Sequence, residues 1–361
     1  MDVVLSDRAL NRATLARQLL LDRVDRPALD VVQHLVGMQG QDPELPYIGL
    51  WNRITAFRHD DLSRLLYARE VVRGTLFRGT QHVLTADDYE WVRPLLQPML
   101  DTRQRGWFGR HVDGVDTSAL AAAARSLLAD RTLSRPELGR ALAQQWPDRE
   151  PEWLARSIQT LLPILHPPPD GLWGRRGATP FVLAEDYLGR PLEERPIQDL
   201  ILRYLAAFGP ASVRDMQAWS GMTRLRPAFE ELRPRLCTFR NEAGAELFDL
   251  PDAPRPSADV PAPVRFLPGF DNVLYGHADR GRIVRADQPW QLLSHAAITV
   301  DGRVRGLWRI RTTAGTAVLT IRPFEPLTHE ESAAVLDEGE AVLRFATPAA
   351  DHHDIAVHHQ L

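Results

Sequence analysis

Two glutamines one residue apart, Gln39 and Gln41, stand in the segment 36–53, VGMQGQDPELPYIGLWNR. A carboxamide has both a donor and an acceptor end. A pair on one face can therefore hold a water molecule or turn carbonyl oxygens toward developing positive charge. In extended chain, residues i and i+2 project to the same side, and Gly40 leaves the backbone between them bare. In a helix they would lie roughly 200° apart and could not cooperate. The segment interrupts a helical pattern and runs into Pro43 and Pro46, with Asp42 expected on the opposite face. On spacing alone, a solvated loop accounts for it better than a site does.

Other candidates have equally ordinary readings. Arg78, Thr80 and His82 lie on a hairpin that could face a nucleic acid or simply be exposed. Trp51 is the aromatic nearest the glutamines, and Arg53 is placed to grip a phosphate bidentately. In FDNVLYGHADR, Asp271 and Asn272 precede His277 and Arg280, and a turn explains the Asp-Asn pair at least as well as a site. Asp60–Asp61 and Asp87–Asp88 read as helix caps. His352, His353, His358 and His359 read as a solvated tail, so no metal and no cofactor are expected. There is no G-x-G-x-x-G, Walker A, H-E-x-x-H or G-x-S-x-G motif.

All 43 basic Lys+Arg residues are arginine. Lysine Schiff-base chemistry, a P-loop lysine and a kinase lysine are therefore excluded, which leaves the amino terminus as the only amine. The single cysteine, Cys237, rules out an internal disulfide. A formal charge of −4 argues against a global basic field, although a local basic face can lie beneath an acidic total. With 44% hydrophobic and 25% charged residues the chain is ordinary globular protein, and 361 residues suggest two or three domains. Neither a signal peptide nor a membrane-length apolar run is present, so a cytoplasmic protein with no membrane partner is expected.

The elements that must position these residues follow from periodicity. Helical spacings precede Gly37, another helix covers Leu62, Leu65 and Leu66, and VVRGTLF with TQHVLT forms a hairpin around Arg78–Gly79. From Thr117 three helices follow: one capped by Ser118, one by Ser134 with Glu137 at the capping-box position, and EPEWLARSIQTLL. Two short strands end the unit, as in a winged helix. RPIQDLILRYLAAFG, ASVRDMQAWSG and TRLRPAFEEL repeat the pattern, followed by another hairpin. If that copy bound DNA in the usual groove mode, Arg224 and Arg226 would contact it; otherwise it is scaffold. The fold class is α+β: units at 1–116, 117–190 and 191–252, a Pro-rich linker at 251–263, and a β-rich domain over 253–361 closed by the helix HEESAAVLDEGEAVLRF.

The blocks VGMQGQDP with YIGLWNR, then LFRGTQHVLTADDY, then FLPGFDNVLYGHADR resemble the AlkZ-like (YcaQ-type) winged-helix DNA glycosylases, in the family's order and across nearly the whole chain. The resemblance implies tandem winged helices in a curved array, a C-terminal β domain, and a channel for duplex DNA. It also implies that Gln39 and Gln41 match the catalytic Gln-x-Gln motif; a sister branch that unhooks crosslinks has Gln-x-Asp. Gly40 stands where the family usually has a small or aliphatic side chain, a departure expected to loosen the loop. The implied activity is monofunctional excision of bulky N7-alkylguanine or N3-alkyladenine from double-stranded DNA by a monomer. Crosslink unhooking and self-resistance to a DNA-alkylating natural product go with it. The rival class is a non-catalytic winged-helix regulator, since fold does not determine function.

Overall fold

The structure, a computed structural model, describes residues 3–285, 288 and 294–358. One order of elements occurs three times: helix, short strand, helix, helix, strand, strand. The first copy runs Ala28–His34, Met38–Gln39, Leu45–Trp51, His59–Tyr67, Val71–Thr75 and Gln81–Thr85. The second runs Thr117–Leu128, Leu133–Ser134, Arg135–Ala143, Pro151–Leu161, Ile164–Leu165 and Pro180–Leu183. In the third, Ile197–Phe208, Val213–Ser220 and Arg226–Leu232 precede Cys237–Asn241 and Glu246–Asp249, and a single bridge from Ala211 to Phe248 replaces the short strand. In every copy the short segment pairs antiparallel with the last strand, which seals the three-helix core against its hairpin.

Local chemistry explains the helix ends. Ser134 with Glu137 and Ser212 with Asp215 form capping boxes, and Gly221 closes its helix at φ 81°. Three expected caps move. Asp116 rather than Ser118 starts its helix, accepting from the Ser118 N–H at 2.8 Å. The helix expected after Asp60–Asp61 begins at His59, and Asp61 reaches back to the Arg58 N–H at 2.8 Å. Thr85 caps the helix containing Asp87 and Asp88, while Asp88 is buried against Arg203 at 2.9 Å.

The first two copies share one six-stranded sheet, joined where Gly74 pairs with Leu165. A Cβ on Gly74 would lie 2.9 Å from both the Ile164 carbonyl and the Tyr89 ring, so only glycine allows the strands to meet. The C-terminal part is a five-stranded sheet of Arg265–Leu267, Ala297–Val300, Arg303–Thr313, Thr316–Pro323 and His352–Val357. The helix His329–Ala346 does not close the domain, as expected, but crosses over to the last strand, which runs parallel to Thr316–Pro323. The histidines read as a tail are thus partly strand: His352 pairs with Thr316 and His353 with Ala317. His359, like Met1, lies outside the described residues. Among the described residues no metal-holding cluster exists, and no helix is long and apolar enough to cross a membrane.

Candidate functional site

Gln39 sits in a two-residue strand opposite His82, and Gln41 follows where that strand ends. Both carboxamides meet the turn 78–81. Gln39 is buried, and its Oε1 accepts from Arg78 Nη2 and from Thr80 Oγ1, each at 3.2 Å. Gln41 is exposed, and its Oε1 accepts from the Gln81 backbone N–H at 3.3 Å. A guanidinium and a backbone N–H can only donate, so these contacts anchor the carbonyl oxygen of each amide to the turn, twice for Gln39 and once for the exposed Gln41. Among the described residues neither amide nitrogen meets an acceptor.

The loop carrying the pair is tied down, contrary to the expectation for Gly40. The Gly40 N–H donates to the Gln81 carbonyl at 2.9 Å, and Arg73 Nε donates to the Gly40 carbonyl at 2.9 Å. A Cβ on Gly40 would come within 3.1 Å of Val83 Cγ2, so the missing side chain makes room for the strand behind it. Asp42 accepts from the Glu44 N–H at 3.0 Å, at the start of the helix Leu45–Trp51.

The turn itself is strained. Arg78 adopts φ 56°, and its Nη1 donates to the Trp219 carbonyl in the third copy. Burial brings its pKa down to about 10, with the ring of Tyr275 lying 5.7 Å from its guanidinium. His82 is buried with Nδ1 3.0 Å from the Thr80 carbonyl. Burial first, and then the charge of Arg78, push its pKa down to about 3, so it is neutral.

Gln41 opens onto a cavity of about 750 Å³ between the first and second copies. Arg73, Arg110, Arg135 and Arg156 line it, and no carboxylate does among the described residues. Arg73 is paired with Asp170 and Arg156 with Glu152. Gln81 and Gln159 form the floor: Gln81 Nε2 donates to Thr75 Oγ1 at 3.0 Å and to Gln159 Oε1 at 3.1 Å. Sequence reading missed Arg73, Gln81, Gln159 and Trp107. Gln81 had a signal, being flanked by two selected residues, whereas Gln159 and Trp107 arrive by packing from helices far along the chain.

Several expected contact residues instead form a buried clamp behind the glutamines. Arg53 and Asp271 make a bidentate pair at 2.9 and 2.8 Å with almost no exposure, so Arg53 is not open to a phosphate. Asp271 also caps the short helix Asn272–Tyr275, accepting from the Val273 N–H. Asn272 donates to the Gly37 carbonyl at 2.7 Å, two residues before Gln39. Trp51 stacks on Phe345 at 5.7 Å and lies under Arg23, which makes it a packing residue rather than a free wedge. His277 is buried with Nε2 2.8 Å from the Phe208 carbonyl, and burial, followed by Arg282, lowers its pKa to about 3. Arg280 is half-buried, with its guanidinium 5.2 Å from Tyr275 on the side chain that also meets Arg78. Of the residues singled out in the sequence, then, Gln39, Gln41, Arg78, Thr80 and His82 converge, with Arg280 nearby. Arg53, Asp271 and Asn272 support the segment from behind, while Trp51 packs on Phe345 and His277 on Phe208. Arg226 in the third copy is paired with Glu230 and Glu246, which favours the scaffold reading there.

A family model described as DNA glycosylase AlkZ-like matches residues 32–345. An interstrand DNA cross-link repair glycosylase from Streptomyces sahachiroi is 26% identical, over 91% of this chain and 93% of its own. The solved structure of the DNA glycosylase AlkZ from that organism superposes with a TM-score of 0.76 at 22% identity, covering 99% of this chain and 100% of that one.

Proposed function

We propose, from the premise that this chain belongs to the AlkZ-like DNA glycosylase family, that it excises bulky N7-alkylguanine and N3-alkyladenine by hydrolysis. Membership makes it a DNA glycosylase with DNA as substrate. The observation that carries the finer reading is the pair of carboxamides anchored by donors of one turn at the rim of an arginine-lined cavity.

In the proposed reaction a water oxygen bonds to the anomeric carbon as the carbon–nitrogen bond breaks, and the electron pair leaves with the base. Excision passes through an oxocarbenium-like state, where a carboxylate normally activates water or stabilises charge. An alkylated purine is already cationic and leaves as a neutral base, so positioning a water and offering amide dipoles are enough. Gln41, exposed and bonded once, holds the water; Gln39, bonded twice and buried, fixes the loop and Gln41's place in it. The water's proton goes to solvent. Such a site discriminates sharply, because a neutral base lacks the built-in leaving-group charge.

Strand cleavage through a Schiff base needs an amine, and the chain has no lysine. We therefore infer a monofunctional enzyme that leaves an abasic site, expect borohydride to trap no lysine-type adduct, and propose separately that it acts as a monomer. The repeated element order supports winged-helix units within 1–116, 117–190 and 191–252, with the β-rich domain at 253–361. The relative's name, an interstrand DNA cross-link repair glycosylase, extends the proposal to interstrand crosslinks, and self-resistance in a host making a DNA-alkylating agent is proposed with it on the family resemblance. The test uses duplexes carrying one N7-alkylguanine, one N3-alkyladenine or no lesion, scored by alkali cleavage after incubation. Breaks should appear at both adducts only; removal of undamaged guanine at a similar rate would contradict the leaving-group argument.

A further inference from the structure

Trp107 stands near the end of the helix Gln97–Phe108 with 41% of its surface exposed, an unusual position for the largest apolar side chain. It lines the same cavity as Gln41. Its indole lies against Gly79, where an added Cβ would come 2.7 Å from one ring carbon and 2.8 Å from another. Gly79, at φ 80°, is flanked in the turn by the donors to Gln39, Arg78 and Thr80, and Gln81 beyond it donates to Gln41. One four-residue turn therefore sets both carboxamides and the edge of one indole.

The other rings at this cavity are engaged. Phe108 is buried, and Trp153 is stacked by His111 at 3.9 Å and 18°. The remaining walls are arginine, glutamine, threonine and glycine. Trp107 is thus the aromatic surface left for a planar ligand beside Gln41, with the Arg103 guanidinium 5.5 Å from its ring. Stacking on an indole suits any planar π-system and needs no particular hydrogen-bond pattern.

We propose that Trp107 is a stacking platform for a planar aromatic group brought beside Gln41 by the substrate, either a ring carried by the alkyl adduct or a nucleobase displaced from the duplex. This rests on the glycosylase reading above. The test compares wild type, Trp107→Ala and Trp107→Phe on two duplexes, one with N7-methylguanine and one with an N7-(arylmethyl)guanine. Affinity is measured by fluorescence anisotropy and excision by single-turnover alkali cleavage. Trp107→Ala should weaken binding of the arylmethyl duplex about tenfold, with most of the loss restored by Trp107→Phe. A loss much larger on the arylmethyl than on the methyl duplex assigns the platform to the adduct's ring; equal losses assign it to a base. Equal affinity of wild type and Trp107→Ala for both duplexes overturns the proposal, as does a loss that Trp107→Phe leaves unrestored. Failure of wild type to excise from either duplex sinks the glycosylase reading instead, while the affinities still decide on Trp107.

Discussion

Gln39 and Gln41 differ in burial: the buried amide is locked by two donors, and the exposed one accepts a single bond and keeps its amide nitrogen free among the described residues. Their neighbour His82 is buried, and burial first, then the charge of Arg78, holds its pKa down at about 3. That depression has a thermodynamic signature. His82, His166 and His277 all have folded-state values near 3 against an ordinary 6.5, so the unfolded chain binds more protons between those limits. Their contribution is present above pH 6.5 and is lost as pH falls toward 3, at up to ~1.4 kcal/mol per pH unit for each histidine. Urea midpoints at pH 7.5 and 5.5 should therefore fall more for wild type than for His82→Gln, and equal falls would contradict the neutral assignment. The glutamine pair was legible in the sequence through the family resemblance, since its i,i+2 spacing around glycine alone fits a solvated loop better. Arg53 and Asp271 were not: each looks like a surface charge until a partner 218 residues away removes both from water.

At the scale of elements, the second and third copies were readable because their helices carry capping boxes and full periodicity. The first copy was readable only loosely. Met38–Gln39 is too short to announce itself and becomes a strand only by pairing with Val83 and His82. The strand His352–Val357 begins with two histidines and an aspartate, and its parallel pairing is set by the crossover helix before it. Other long-range contacts, Arg53 with Asp271 and Asn272 with the Gly37 carbonyl, form the clamp behind the glutamines. Replacing Asn272 by alanine removes the bond to the Gly37 carbonyl and should cost about 1 kcal/mol of stability while lowering kcat more than KM. Replacing Arg53 by methionine leaves Asp271 buried without its partner and should cost about 3–5 kcal/mol. Denaturant unfolding and steady-state excision by both variants check the pair. Normal kinetics in Asn272→Ala would show that the clamp does not position the motif.

Over the whole molecule the charge of −4 conceals a cavity with four arginines and no carboxylate among its described lining residues. Arg110 and Arg135 make no ion pair among the described residues, unlike Arg73 and Arg156, and are the cations best placed for phosphates. Arg110→Ala and Arg135→Ala should each weaken binding to undamaged duplex and reduce the slope of log affinity against log salt by about 0.9. An unchanged slope in both would move the DNA path elsewhere. The local basic face was only a possibility in the sequence, since these arginines are spread over residues 73 to 156 and meet through the shared sheet of two copies.

We propose that the Gln-Gly-Gln segment performs base excision. It is tested most directly by abasic-site formation in a duplex with a single N7-alkylguanine, comparing wild type with Gln41→Ala at equal DNA occupancy. The prediction is alkali-labile breaks with wild type and a loss of about 100-fold or more with Gln41→Ala. Excision by Gln41→Ala at the wild-type rate would contradict it.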